Sequence, residues 1–130
     1  MLVWKEEYGI GVDLIDEQHK HLFEIGNRAY SILKDKLCID KYDKVAEVLE
    51  DLRDYTKYHF KTEEDYMLDI GYSNYFAQKV AHKDFVDKLD SYDLNSIDEL
   101  TNKEIEEILS FIFKWVLEHI LKEDKKIVNS

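Results

Sequence analysis

The chain of 130 residues contains no proline, and its four glycines stand at positions 9, 11, 26 and 71. Sheets with many tight turns draw on both residues, so their scarcity favours an all-helical chain. Cysteine occurs once, at Cys38, which excludes an internal disulfide and fits a reducing cytoplasm. A lone thiol near a helix end reads as a bystander, with a redox role as the minor alternative. Positive charge is also scarce, with 18 Lys and Arg against 29 Asp and Glu and a formal net charge of −11. Without a basic stripe to neutralise phosphates, nucleic acid and anionic membranes are excluded as partners. No apolar run approaches the roughly 18–20 residues of a spanning helix. The start, Met1-Leu2-Val3-Trp4-Lys5-Glu6-Glu7, lacks the apolar stretch of a signal peptide. The expected location is cytoplasmic.

What is present suits amphipathic helices. Hydrophobic residues make up 45% of the chain and charged residues 36%, a balance that argues against disorder. The length predicts one domain, residues 1–130, able to bury about two-thirds of the surface that its unfolded form exposes. After an irregular arm to about residue 15, apolar spacing predicts a helix from Asp16, as N-cap, to Leu37. Leu22, Ile25, Ala29, Ile32 and Leu33 mark its inner stripe. A second helix starts near Asp40 and carries Val45, Val48, Leu49, Leu52, Tyr55 and Thr56 through His59 and Glu63 to a stop at Gly71. Ser73 or Asn74 can cap a third, with Val80, Phe85, Val86 and Leu89 along it. A polar connection over 91–101 leads to a fourth, from Asn102 to Ile127. Four helices of about 18–25 residues, each about 27–37 Å long, predict an up-down-up-down bundle.

The apolar faces carry polar residues that a core ordinarily avoids. His59 and Glu63 stand one helical turn apart and share a face. His119 is followed by Asp124 a little over a turn later, His82 lies on the third helix, and Asp16-Glu17-Gln18-His19 adds an imidazole on the first. His21 sits about 200° around the helix from His19 and reads as a surface residue. Singly, His19 could cap a helix and His59 could be a hydrogen-bonded core residue. Jointly, four histidines fall one to a helix, and two bring a carboxylate with them. Buried Asp or Glu is costly unless paired or bound to metal, and no Lys or Arg on these faces is placed to neutralise Glu63 and Asp124. Imidazoles and carboxylates from separate helices are first-row transition-metal ligands.

The donor set exceeds what one tetrahedral zinc takes and suits two six-coordinate ions bridged by the carboxylates. Two ferrous ions bring four positive charges, of which Glu63, Asp124 and one hydroxide return three. A centre this rich in histidine stabilises highly oxidised iron less than a carboxylate-rich one, which leans towards binding O2 over hard oxidations. A nucleophilic Ser or Cys for hydrolysis finds no support.

These residues resemble the hemerythrins, and specifically the single-domain bacteriohemerythrins, over essentially the whole chain. The resemblance rests on Trp4, Gly11-Val12-Asp13, Asp16-Glu17-Gln18-His19, His59-Phe60 with Glu63-Glu64 and Met67, Gly71-Tyr72, and Trp115 before His119-Ile120 and Asp124. It implies a four-helix bundle holding two iron ions bridged by carboxylates and an oxo or hydroxo group. His19 and His59 would then ligate the iron that binds O2, Glu63 and Asp124 would bridge, and His82 and His119 would ligate the second iron. The family pattern expects a third imidazole one turn before His82, where this chain has Gln78. A sliding register does not rescue it, since Val86 stands four residues after His82. Gln78 can ligate through its amide oxygen, a poorer donor than imidazole, or turn aside and leave a solvent position.

Helical spacing places Leu22, Phe23, Tyr55, Thr56, Phe85, Val86, Trp115 and Val116 around the ligands. Most read as ordinary core, with a dry wall for a diatomic gas as the functional alternative. Tyr55 is the minority case of a phenol able to donate to the iron. The expected function is reversible O2 binding in storage, delivery or sensing, with O2 or another diatomic or peroxide as ligand. The alternative is an enzyme reducing O2, peroxide or NO at a second iron opened by Gln78, fed by an unidentified electron donor. An iron-handling protein is a third reading. Sensing would need a separate signalling partner.

Overall fold

The computed structural model describes residues 3–37 and 39–129. Cys38 therefore lies outside the described residues, as does the extreme N-terminus. The chain folds as an all-α, up-down-up-down four-helix bundle of α1 (Asp13–Lys34), α2 (Lys41–Ile70), α3 (Tyr75–Asp90) and α4 (Asn102–His119). A π-helical turn (Ile120–Asp124) continues α4 into a short terminal helix, α5 (Lys125–Asn129). Helix lengths are less even than the sequence pattern suggests, with 30 residues in α2 and 16 in α3. No helix among the described residues is long and apolar enough to cross a membrane.

The helix ends follow from local chemistry, with corrections to the expected boundaries. Asp16 is not the N-cap of α1, which begins at Asp13. Instead its carboxylate turns back and accepts from the backbone N–H of Ile10 at 2.9 Å and of Gly11 at 3.2 Å. That pins the irregular N-terminal arm, within which Glu6–Tyr8 form a single 3-10 turn. Trp4, Tyr8 and Phe23 meet edge to face at 5.4–6.0 Å and seal the arm against α1. α1 ends at Lys34, short of the expected Leu37.

Gly71 ends α2 in a left-handed conformation, φ +66°, with Gly71 N–H donating to Leu68 and Tyr72 N–H to Met67. This is a Schellman closure, completed by contact between buried Met67 and Tyr72. Asn74 precedes α3, although its side chain makes no capping bond. Thr101 and Glu104 form a reciprocal capping box at the start of α4. The 91–101 connection is not merely polar, because a 3-10 stretch (Leu94–Glu99) lowers Ile97 into the core.

Leu22, Ile25, Ala29 and Leu33 of α1 pack against Val45, Val48, Leu49 and Leu52 of α2, with Ile105, Leu109, Ile112 and Val116 from α4. On α3, Phe85 and Leu89 join this core and Val86 is half-buried, but Val80 points to solvent at 60% exposure. Val80 lies about 160° around α3 from His82, so the helix cannot bury both. Gly26 lets α1 approach α4 closely enough that a Cβ there would overlap the Phe113 ring. Gly26→Ala should therefore destabilise the protein by about 1–3 kcal/mol despite alanine's better helix propensity, and Phe113→Leu should recover part of the loss. Urea midpoints of the two variants and their combination measure this.

Candidate metal centre

Every element of the bundle delivers a polar side chain to one interior point. His19 comes from α1, His59 and Glu63 from α2, Gln78 and His82 from α3, His119 from α4, and Asp124 from the π-helical turn; all seven are buried. The π-helical turn explains the last pair. In a regular α-helix, five residues advance by about 500°, which would leave Asp124 roughly 140° away from His119. The wider i→i+5 turn takes up most of that offset. It brings Asp124 Oδ1 to 3.3 Å from His119 Nε2. The sequence shows the spacing but carries no evident sign of the bulge.

The donors fall into two groups that share a carboxylate. His19, His59, Glu63 and Asp124 each bring one ligand atom within 4.8 Å of the others, and so do His82, His119 and Asp124. Asp124 Oδ2 lies 3.2 Å from His19 Nε2, on the opposite side from its His119 contact. Glu63 Oε1 lies 2.9 Å from His59 Nε2 and 3.7 Å from His82 Nε2, so it also faces both groups. The Nε2 atoms of His82 and His119 are 3.1 Å apart.

The outer ring nitrogens are fixed by residues that periodicity alone does not reveal. His59 Nδ1–H donates to Gln18 Oε1 at 2.7 Å, and Gln18 Nε2 donates in turn to Thr62 Oγ1 at 3.3 Å. His82 Nδ1–H donates to Glu64 Oε2 at 3.0 Å. Both bonds leave Nε2 with its lone pair towards the interior, the arrangement by which outer partners orient metal-binding imidazoles. Gln18 and Glu64 stand beside ligand candidates in the sequence, and that adjacency is the only signal they give.

Inside this ring the polar atoms are left wanting. Both nitrogens of His19, both oxygens of Glu63 and Gln78 Oε1 are buried without a hydrogen bond. The ion pairs of Glu63 and Asp124 among the described residues are all with histidine. Buried polar groups are ordinarily satisfied, so a knot of orphans gathered at one interior point fits a cation. Burial pushes the His59 imidazole down to about 4. Burial likewise lowers His82, against the bond to Glu64. Burial acts on His119 in the same direction but is outweighed by Asp124, which holds its proton more firmly. Burial and then the Asp124 charge raise Glu63 well above the usual carboxylate range, while the close imidazoles of His119 and His19 overcome burial at Asp124 and hold it low.

The surrounding wall matches part of the sequence expectation. Leu22, Thr56, Trp115 and Val116 line a void of about 10 Å³ against the cluster, together with Phe60 and Ile120. Room there is of the order of one water-sized body. Trp115 stacks on His119 at 4.5 Å and on Phe85 at 4.0 Å, and Phe60 stacks on His82 at 3.9 Å. Phe85 thus backs the wall rather than lining it. Phe23 packs with the N-terminal arm, and Val86 does not border the void. Tyr55 is placed elsewhere, against the surface residue His21 at 4.4 Å, because it lies on the flank of α2 turned towards α1's outer face.

A family profile described as "Hemerythrin HHE cation binding domain" matches residues 10–129. The chain is 41% identical over 129 residues to a bacteriohemerythrin of Clostridium acetobutylicum, covering 99% of this chain and all of that one. It is 32% identical to a bacteriohemerythrin of Pseudomonas aeruginosa, covering 99% of this chain and 80% of that one. Among solved structures, wild-type hemerythrin superposes with a TM-score of 0.79 at 25% identity, covering 100% and 99% of the two chains.

The electrostatics of the metal-free cluster have a signed consequence. A carboxyl whose folded pKa is raised destabilises the native state as pH climbs from its unfolded value, 4.5, towards its folded one. Glu63→Gln removes that penalty. Metal-free Glu63→Gln should match the parent near pH 4.5 and exceed its stability by about 1–3 kcal/mol at neutral pH, read from urea midpoints across pH.

Proposed function

The chain belongs to the hemerythrin family, and from that premise we propose that its buried cluster holds two iron ions and binds O2 reversibly. The observation that carries this reading is the pair of donor groups joined through Asp124, with orphaned polar atoms aimed between them. His19 and His59 would hold one iron and His82 and His119 the other, with Glu63 and Asp124 placed to serve both. Gln78 contributes its amide to the second side. The profile match supports reading residues 1–130 as one such domain. The iron pair, when bound, supplies the two electrons that O2 takes on binding and returns on release.

The chain's own residues make such binding reversible. Gln18 and Glu64 hold His59 and His82 in the tautomer that presents Nε2, so no proton has to leave those nitrogens when metal arrives. Glu63 and Asp124 supply two negative charges against a dry wall, which strengthens their hold on cations. Leu22, Val116 and Ile120 present no donor to the void, and Thr56 spends its hydroxyl on the Leu52 carbonyl at 2.6 Å. The apolar part of this wall therefore adds no proton donor beyond the cluster's own side chains. Trp115 and Phe60 fix the ring planes of His119 and His82 by stacking.

One observation favours a second reading. Gln78 Nε2 donates to Asp124 Oδ1 at 3.4 Å, so the third group on the α3 side is a neutral amide. A softer second iron would suit an enzyme reducing O2, peroxide or NO, which needs an electron donor. A storage or delivery protein needs no such partner, and a sensor needs a signalling partner.

Anaerobic iron loading should give about two irons per chain, and Glu63→Ala should abolish paired binding. Metal analysis checks the count, and a plateau at one ion per chain in the parent would contradict the reading. Carrier and enzyme separate on gas exchange. The carrier returns the O2 it takes up when placed under vacuum, with Gln78→His retaining it at least as long. Consumption of O2 without return, slowed by Gln78→His, favours the enzyme.

A further inference from the structure

The bundle holds a second interior space, apart from the donor cluster. A pocket of about 290 Å³ lies under the connection between α3 and α4, bordered by Leu49 and Arg53 of α2, Leu89 of α3, Ile97 of the 3-10 stretch, and Ile108 and Ile112 of α4. None of these residues belongs to either donor group. Arg53, Leu89 and Ile112 stand about 9–11 Å along their helices from His59, His82 and His119, at 1.5 Å of rise per residue.

The wall and the mouth differ in chemistry. Leu49, Leu89, Ile97 and Ile112 are buried and aliphatic. Arg53 is 25% exposed, and its nearest acid, Asp90, stands 3.7 Å from Nε. No hydrogen bond reaches its guanidinium among the described residues. Lys57 approaches the same Asp90 oxygen more closely, at 3.3 Å, so that carboxylate already has a cation. Tyr92 also borders the pocket, half-buried, and burial raises its phenol pKa, which keeps it a neutral donor. The acids on the rim are Asp93 and Glu99, both exposed, and Asp93 accepts from Ser96 Oγ at 2.9 Å.

We propose that this pocket is a second ligand site, which takes a small amphipathic monocarboxylate: its carboxylate meets Arg53, and its apolar body lies among Leu49, Leu89, Ile97 and Ile112. The proposal stands apart from the two-iron reading and does not depend on it.

Three physical points carry it. An apolar cavity of about 150 Å³ accommodates benzene, so a space about twice as large suits a molecule of about ten non-hydrogen atoms. Small-molecule sites are mostly apolar with a few polar groups that fix orientation, which is the composition here. A guanidinium fork matches a carboxylate with two parallel hydrogen bonds, and partial removal from water strengthens them. A cationic ligand would meet Arg53 head-on, and a neutral one would leave the fork unmatched. The rim acids, exposed to solvent and salt, are screened from a carboxylate seated at the guanidinium. An occupied pocket ties α2 to the 91–101 connection, so ligand binding stabilises that end of the bundle.

The test titrates the full chain, metal-free and anaerobically iron-loaded, with octanoate by calorimetry, using octanol and octylammonium as neutral and cationic counterparts. One octanoate should bind per chain in both forms, more tightly than octanol, with octylammonium weakest. Amide shifts in the metal-free chain should cluster at Leu49, Arg53 and Ile97. Arg53→Gln should weaken octanoate about tenfold or more and leave octanol within about twofold, as loss of a charge-assisted pair requires. Circular dichroism checks that the variant is folded; if it is not, the order of the three head groups and the shift map in the parent decide. No saturable octanoate binding up to about 1 mM overturns the proposal. So does octylammonium binding as tightly as octanoate, shifts centred elsewhere, or an octanoate affinity unmoved in folded Arg53→Gln. Octanoate binding confined to the iron-loaded chain would place the carboxylate on the metal and also overturns it. None of these results bears on the iron count, so the two-iron reading is tested separately.

Discussion

Glu63 and Asp124 lie in one dry interior with four imidazoles, and among the described residues their ion pairs are all with histidine. Much of the remaining structure can be understood as a response to that constraint. In the metal-free protein the two carboxyls divide the burden: Glu63 is driven towards its neutral form, and Asp124 keeps its charge through His119 and His19. The arrangement is poor economy for a fold judged on stability alone, since an apolar core of the same shape would leave no orphaned oxygens. It makes sense as a site held ready for cations.

The bundle supplies the rigidity this needs. Four helices with well-defined ends set the height of each donor: the Schellman closure at Gly71 fixes the end of α2, and the Thr101–Glu104 box fixes the start of α4. Asp16 ties the N-terminal arm to α1 one turn before His19, and Trp4, Tyr8 and Phe23 then close the interior above it. The aromatic stacks on His82 and His119 do the same work laterally. Gln18 and Glu64 finish the job by choosing tautomers.

How much of this was legible in the sequence depends on whether a feature is periodic. The four helices and most of their buried stripes follow from apolar spacing. His19, His59, Glu63, His82 and His119 stand out because polar residues recur on those stripes, and the structure brings them together with Gln78 and Asp124. What escaped is aperiodic. The π-helical turn that aims Asp124 inward inserts one residue into an otherwise regular helix, and spacing alone cannot place it. Asp16 looks like an N-cap because Asp is a good one, yet its carboxylate serves the preceding loop. Val80 looks buried because it is apolar, but His82 claims the inner face of α3. Tyr55 is near the ligands in sequence and turned aside in space.

The central claim is that the cluster sacrifices metal-free stability for metal binding, and ligand linkage makes it measurable. A site that binds only the native state adds about 2.7 kcal/mol at a free-metal concentration 100 times its dissociation constant, and more as concentration rises. Anaerobic urea unfolding at fixed pH across a series of ferrous concentrations reads this directly. The account predicts a midpoint that climbs steadily with iron and falls back when a chelator is added. A midpoint indifferent to iron across that series would contradict it.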